Sequence, residues 1–215
     1  MYEKVVKRII DIVLSFIGIV VAAIPMLVVA VLIKIDSPGP VFFLQKRVGI
    51  HKSHFMIIKF RSMPTSAPKD TPTHQLAGAA NLLSPFQEAI RKYSIDEIPQ
   101  LFNIFVGHMS FVGPRPALWN QYDLLEERDK YGANDVKPGL TGWAQINGRD
   151  ELPIDVKAGY DGEYVKNLSF AFDVKCVIGT IFAVATADGV REGSADSTKQ
   201  AHDSIDNNAE GAKDV

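Results

Sequence analysis

The sequence predicts an α+β protein: a mostly helical domain with one short β-hairpin, held to a membrane by its amino-terminal helix. Three observations predict this. Residues 12–33, "IVLSFIGIVVAAIPMLVVAVLI", are 22 residues without a charge, the length of a bilayer-crossing helix. Two strand-like runs, "VFFLQKRVG" and "HFMIIKFRSM", flank the short connector "IHKS". Beyond residue 84, helical segments alternate with Gly- and Pro-marked stops.

The apolar helix comes first. It is too long for a signal peptide, and no polar cleavage region follows Ala22 and Ala23. Pro25 lies near its middle, where it removes a helix hydrogen bond and should bend the chain. Lys4, Lys7 and Arg8 precede the apolar run, and Lys34, Lys46 and Arg47 follow it, so charge bias sets no orientation. Two topologies stay open: a kinked span, or a helix that enters one leaflet, breaks at Pro25 and returns. Asp11 and Ser15, four apart, share a helix face suited to polar contacts near the interface.

Ser37-Pro38-Gly39-Pro40 ends this helix, and the hairpin follows. By the two-residue period, Phe55, Ile57, Lys59 and Arg61 share one strand face, so Lys59 and Arg61 are expected to project together. Residues 64–83 are Pro-, Thr- and Ala-rich and read as a mobile loop. "SPFQEAIRKY" is a helix with Ser84 as N-cap and Pro85 at its first position. "IPQLFNIFVG" is a second, ending at Gly107, and "ALWNQYDLLEERDKYG" a third, closing at Gly132. "VKPGLTGWAQINGRDELP" reads as a structured loop. "VKNLSFAFDVKCVIGTIFAVATADG" reads as one helix, in the core or at the membrane interface. From Arg191 the chain is small, polar and acidic, the composition of disorder.

Charge is unevenly spread. Residues 1–63 carry nine Lys/Arg against three Asp/Glu, which suits an anionic lipid or phosphate partner. Cys176 is the single cysteine, so no intramolecular disulfide forms. His51 and His54 stand without a third ligand type, and there is no P-loop or Gly-rich dinucleotide fingerprint. No feature points to nucleic-acid reading.

The chemistry-bearing stretch is "RKYSIDEIPQLFNIF". Asp96 and Glu97 are adjacent, so they do not face each other across a substrate as a glycosidase pair does. "SIDE" matches a helix capping box, Ser94 with Glu97, although Pro99 disfavours that helix register. Equally, an ionised Asp can attack phosphorus, and a neighbouring Glu can hold a hard cation. Arg115, between Pro114 and Pro116, presents a guanidinium from a stiff segment suited to phosphate. Arg91 and Arg149 are further basic candidates.

In order, "KRIIDI", "SPGPVFFLQKRVG", "KFRSM", "RKYSIDEIPQLFN", "MSFVGPRP", "KPGLTGWAQINGR" and "DGEYVKN" resemble the bacterial monotopic phosphoglycosyl transferases, in their small minimal form, over roughly residues 3–190. The resemblance implies a membrane-monotopic α+β domain with interfacial amphipathic helices. It implies a re-entrant helix broken at Pro25 over residues 1–36, a catalytic domain over 37–190 and a disordered acidic tail over 191–215. The implied reaction moves a phospho-sugar from a UDP-sugar to polyprenyl (undecaprenyl) phosphate, through a covalent aspartyl intermediate. It releases UMP and opens glycoconjugate or exopolysaccharide assembly. Carried over, Asp96 is the nucleophile, and Glu97 its partner in holding Mg²⁺. Arg115 binds phosphate, Arg149 matches a nucleotide-binding position, and Lys59, Arg61 and Arg91 are basic site residues. The implied location is the cytoplasmic face of the bacterial inner membrane, with membrane lipids as partners and a homo-oligomer compatible. Two positions depart from the family pattern. Ile24 stands where Ser often precedes the helix-breaking proline, and His108 replaces the acid of "GDMS". The shared motifs do not include the sugar contacts, so the sugar is left open.

Overall fold

The computed structural model of this 215-residue chain describes residues 2–67, 83–148 and 152–185. A π-helical turn, Tyr2–Val6, feeds α1, Lys7–Asp36. Along α1 the usual distribution is inverted. Lys7, Asp11 and Ser15, each a helical turn apart, are buried against the protein, while Val21, Ile24, Leu27 and Ile35 are 66–76% exposed. A helix that turns its polar side chains inward and its large apolar ones outward is matched to lipid, since each such side chain left in water forgoes about 1.5–3 kcal/mol.

Pro25 lies inside this single helix, which the secondary structure does not interrupt. The sequence reading expected a break there. An internal proline removes one hydrogen bond and bends a helix without ending it, so the uninterrupted helix accommodates a bend at Pro25.

Both ends of α1 are tied to the rest of the protein. At its start, Lys7 pairs with Asp173, and the Asp11 carboxylate accepts from Ser110 Oγ and Phe111 N, each at 3.0 Å. Arg8 donates to the carbonyls of Ile104 and Phe105, about a hundred residues on in the last turn of a short helix, at 2.7 Å each. At its end, the Asp36 carboxylate accepts from Ser84 Oγ at 2.6 Å and Gln87 Nε2 at 3.0 Å.

The expected hairpin forms from β1, Phe42–Val48, and β2, His54–Phe60, antiparallel, with Phe43 opposite Lys59 and Gln45 opposite Ile57. A 3-10 turn, Ile50–Lys52, joins them. α2, Pro85–Lys92, begins with the expected Ser84 N-cap, here a full capping box with Gln87. α3, Gln100–Val106, ends on Gly107 in the left-handed conformation at φ 96°. Asn103 of α3 reaches the edge of β2, accepting from Ile58 N at 2.9 Å and donating to Met56 O at 2.8 Å. Phe55, Ile57, Ile104 and Met109 are buried together between these elements.

Three segments differ from the sequence reading. α4 covers only Tyr122–Asp129, because Ala117 and Leu118 are drawn onto β1: Val48 N donates to Ala117 O at 3.0 Å. The segment read as a structured loop contains β4, Gly139–Thr141, and α5, Trp143–Ile146; β4 pairs in parallel with β3, Ser110–Val112. Three-residue strands carry too little periodicity to be seen in sequence. The helix expected from Val165 starts instead at Phe170, as α7, Phe170–Ala185, and a separate helix, α6, Ile154–Lys166, fills a stretch the sequence reading left unassigned; between them Ser169 Oγ accepts from Phe172 N at 3.3 Å. α7 buries Cys176 but leaves Phe170, Ile181 and Phe182 more than half exposed, a second set of exposed apolar side chains after those of α1. The loop expected over 64–83 is described only in part, and the tail from Arg191 lies outside the described residues.

Candidate active site

Asp96 and Glu97 sit in a single 3-10 turn, Ile95–Glu97, just before α3. The capping box suggested by "SIDE" does not form. Ser94 adopts a left-handed conformation at φ 54°, makes no side-chain cap, and Glu97 turns away to other partners. A 3-10 turn advances three residues per turn, so adjacent side chains diverge. The two acids accordingly enter different surroundings, as separate roles require.

Asp96 points inward and is 7% exposed; Ser62 Oγ donates to its Oδ2 at 3.1 Å. Arg91 Nη1 lies 3.4 Å from the same Ser62 hydroxyl. Burial pushes the Asp96 pKa up to about 6, against the attraction of Lys59 and Arg91 and with the repulsion of Glu97. Glu97 behaves oppositely. Burial works to raise its pKa, but Arg115 and Lys59 outweigh burial and hold the carboxyl below its usual range. Its Oε1 accepts from Lys59 Nζ at 2.7 Å and Arg115 Nη2 at 3.0 Å. Burial in turn lowers the Lys59 pKa, with Glu97 opposing. The two carboxyls are thus pushed in opposite directions, Glu97 down by its cations and Asp96 up by burial, although they are neighbours in sequence.

The tertiary structure brings together Lys59, Arg91, Asp96, Glu97 and Arg115. Arg61 goes elsewhere. It was expected to project with Lys59, but β2 ends at Phe60, and the Arg61 guanidinium donates to Pro38 O and Ser37 O at 2.6 Å each. It is 4% exposed and closes the carboxyl end of α1, where unpaired carbonyls and the helix dipole attract a cation. Arg149 lies outside the described residues. Ser62 and Asn103 were not singled out by sequence. A serine after an Arg and an asparagine inside an apolar helix carry no signal until their partners are known.

Arg115 is carried on the turn after β3, which two glycines let approach β4 closely. A Cβ on Gly113 would stand 2.3 Å from the Lys137 carbonyl oxygen, and one on Gly139 would stand 2.1 Å from Gly113 N. Backbone packs directly on backbone there, so "VGPRP" and "KPGLTG" form one structural unit.

The model of bacterial sugar transferases matches residues 2–187. The chain belongs to the bacterial sugar transferase family. This transferase is 35% identical over 188 residues to an uncharacterized sugar transferase of Bacillus subtilis, covering 87% of the present chain and 91% of that relative. It is 38% identical to a UDP-N-acetylgalactosamine-undecaprenyl-phosphate N-acetylgalactosaminephosphotransferase of Aeromonas hydrophila and 36% identical to a UDP-glucose:undecaprenyl-phosphate glucose-1-phosphate transferase of Xanthomonas campestris. The match takes in 86% and 85% of the present transferase but only 45% and 39% of those two longer relatives. It is also 35% identical to an exopolysaccharide production protein of Rhizobium leguminosarum, across 97% of that protein.

Proposed function

We propose that this chain is a membrane-bound phosphoglycosyl transferase that moves a phospho-sugar from a UDP-sugar to polyprenyl phosphate, as the first membrane step of a glycoconjugate or exopolysaccharide pathway. The observation that carries the reading is the asymmetric pair: Asp96, buried beside Ser62 and Arg91 and raised in pKa by that burial, next to Glu97, held anionic by Lys59 and Arg115. At neutral pH Asp96 is ionised yet poorly solvated, which favours nucleophilic attack. The cations suit the charge of a diphosphate. The relatives named as undecaprenyl-phosphate sugar transferases support the same substrates.

An Asp96 oxygen attacks the sugar-bearing phosphorus of the UDP-sugar. The bond from that phosphorus to the bridging oxygen breaks, and its electron pair leaves with UMP. An oxygen of polyprenyl phosphate then attacks the same phosphorus, and the Asp96 carboxylate departs, leaving polyprenyl-diphosphate sugar. Arg115 and Lys59 hold Glu97 in place, and Arg91 holds the Ser62 hydroxyl that orients Asp96.

We read Mg²⁺ as the cofactor on the chemistry of the two adjacent carboxylates. Among the described residues no group of three or more His, Cys, Asp or Glu is assembled, but Asp96 and Glu97 offer the oxygen donors that Mg²⁺ takes alongside substrate phosphate and water. Bound there by Asp96 and Glu97, it would offset charge on the phosphates.

For topology the reading is re-entry, with the catalytic domain and both ends of α1 on the cytoplasmic face of the inner membrane. The support is mechanical. Lys7 and Asp11 at one end and Asp36 at the other are bonded to the same body, whereas a spanning helix of this length separates its ends by a bilayer about 30 Å thick in its core.

The test scores UMP release over a panel of UDP-sugars, with and without polyprenyl phosphate, and traps labelled sugar phosphate on the protein when lipid is withheld. Wild-type protein should label, and Asp96→Asn should neither label nor release UMP. Retained turnover in that variant would remove Asp96 as nucleophile. Free sugar phosphate as the product with lipid present would replace transfer by hydrolysis.

A further inference from the structure

Four consecutive carbonyls around Arg115 are each held by a donor, two from β1 and one each from β4 and α4. Gly139 N of β4 donates to Pro114 O at 2.9 Å, and Val48 N of β1 donates to Ala117 O at 3.0 Å. Between them, Arg128 Nη2 of α4 donates to Arg115 O at 3.0 Å, and Arg47 Nη1 of β1 donates to Pro116 O at 2.9 Å. Both guanidiniums are themselves oriented. Arg47 Nε and Nη2 lie 2.9 and 2.6 Å from Gln45 Oε1. Arg128 forms a two-nitrogen pair with Asp161 of α6, Nε at 2.8 Å and Nη2 at 2.6 Å from Oδ2, with side chains 4% and 1% exposed. Asp161 is the first residue of "DGEYVKN".

We infer that Arg128, aimed by Asp161, and Arg47, aimed by Gln45, are positioning residues that clamp the backbone of Pro114-Arg115-Pro116 and so aim the Arg115 guanidinium at Glu97. A buried ion pair is weak as a source of stability, because desolvation cancels much of the attraction. It is effective at holding a planar donor in one orientation. Here the nitrogen that binds Asp161 also holds Arg115 O. A lysine at 128 keeps the charge but lacks the fork that spans both acceptors.

The inference rests on the proposed transferase activity, so its test carries one readout that does not. Arg128→Lys and the paired change Arg128→Met with Asp161→Met are compared with wild type. The paired change replaces a buried ion pair by apolar side chains, an exchange that is often neutral for stability. The clamp predicts that kcat/KM for UMP release falls about 10- to 100-fold in both variants, the usual consequence of a misplaced site group, while the paired variant melts near wild type. In an Arg115→Gln background, Arg128→Lys should cause no further loss, because Arg128 acts only through Arg115. Amide exchange of the peptide covering 112–118 should speed up about tenfold, with α1 unchanged. The clamp is overturned if activity returns along with stability in the paired variant, if the losses multiply in the Arg115→Gln background, or if exchange at 112–118 is unchanged. Should wild-type protein release UMP from no UDP-sugar, the transferase reading fails, and amide exchange alone decides the clamp.

Discussion

Replacing Asp96 by Asn should stabilise the protein while abolishing its activity, and the size of the effect follows from where the carboxyl sits. Its ordinary pKa of 3.8 rises to about 6 in the fold, with burial as the main cause. For a group whose pKa rises on folding, stability is complete below the unfolded value and is lost as pH climbs through the folded one. Wild-type protein should therefore lose stability between about pH 4 and 6 and stay level above that range. Keeping this carboxylate ionised at pH 8 costs up to about 3 kcal/mol, at 1.36 kcal/mol for each pH unit between the two values. Asn is nearly the same size, can accept the Ser62 hydrogen bond, and carries no charge to desolvate. Melting in lipid nanodiscs, followed by Trp fluorescence from pH 4 to 8, should show the two proteins alike at pH 4 and Asp96→Asn ahead by several degrees at pH 8. A variant that melts below wild type at pH 8 would mean that the cations around Asp96 outweigh its burial, and the reasoning would fail.

Glu97→Gln leaves Lys59 and Arg115 without their shared anion, so it should cost about 3 kcal/mol of stability. It also removes the like charge beside Asp96, so the acid limb of the rate–pH profile, near 6 in wild type, should move to lower pH. Gly113→Ala places a methyl group 2.3 Å from the Lys137 carbonyl oxygen, and the β3–β4 contact must open; a lower melting temperature and a raised KM for the UDP-sugar are expected. Arg61→Gln removes charged hydrogen bonds to Ser37 and Pro38, each worth about 1.5–3 kcal/mol. Limited proteolysis should then cut the segment between α1 and β1 faster than in wild type. Chelation should abolish UMP release, and added Mg²⁺ should restore it.

What could be read from sequence is what depends on near neighbours along the chain. The Ser84 cap, the Gly107 stop, the hairpin and the lipid-facing apolar helix each follow from residues within a few positions of one another. The Asp-Glu pair was legible for a related reason: adjacency alone excluded two acids facing one substrate and left separate roles. Arg61 was misread because alternation along a strand is a local rule that lapses where β2 ends at Phe60, and its true partners are the carbonyls of Ser37 and Pro38. Ser94 and Glu97 match a capping box in sequence. The fold nevertheless gives Glu97 two cations, one from the hairpin and one from the turn after β3, and charge-assisted pairing in a buried place outweighs a cap at a helix start.

By itself the sequence determined the long apolar helix, the ordered motifs and the adjacency of Asp96 and Glu97, because hydropathy and residue chemistry are local properties. Only the tertiary structure decided which carboxylate stays anionic and which titrates near 6, which arginines enter the site, and why Asp161 of "DGEYVKN" stands in line with Arg115. Those outcomes depend on burial and on charges brought from distant parts of the chain, and electrostatic energy is set by distance in space rather than by separation in sequence.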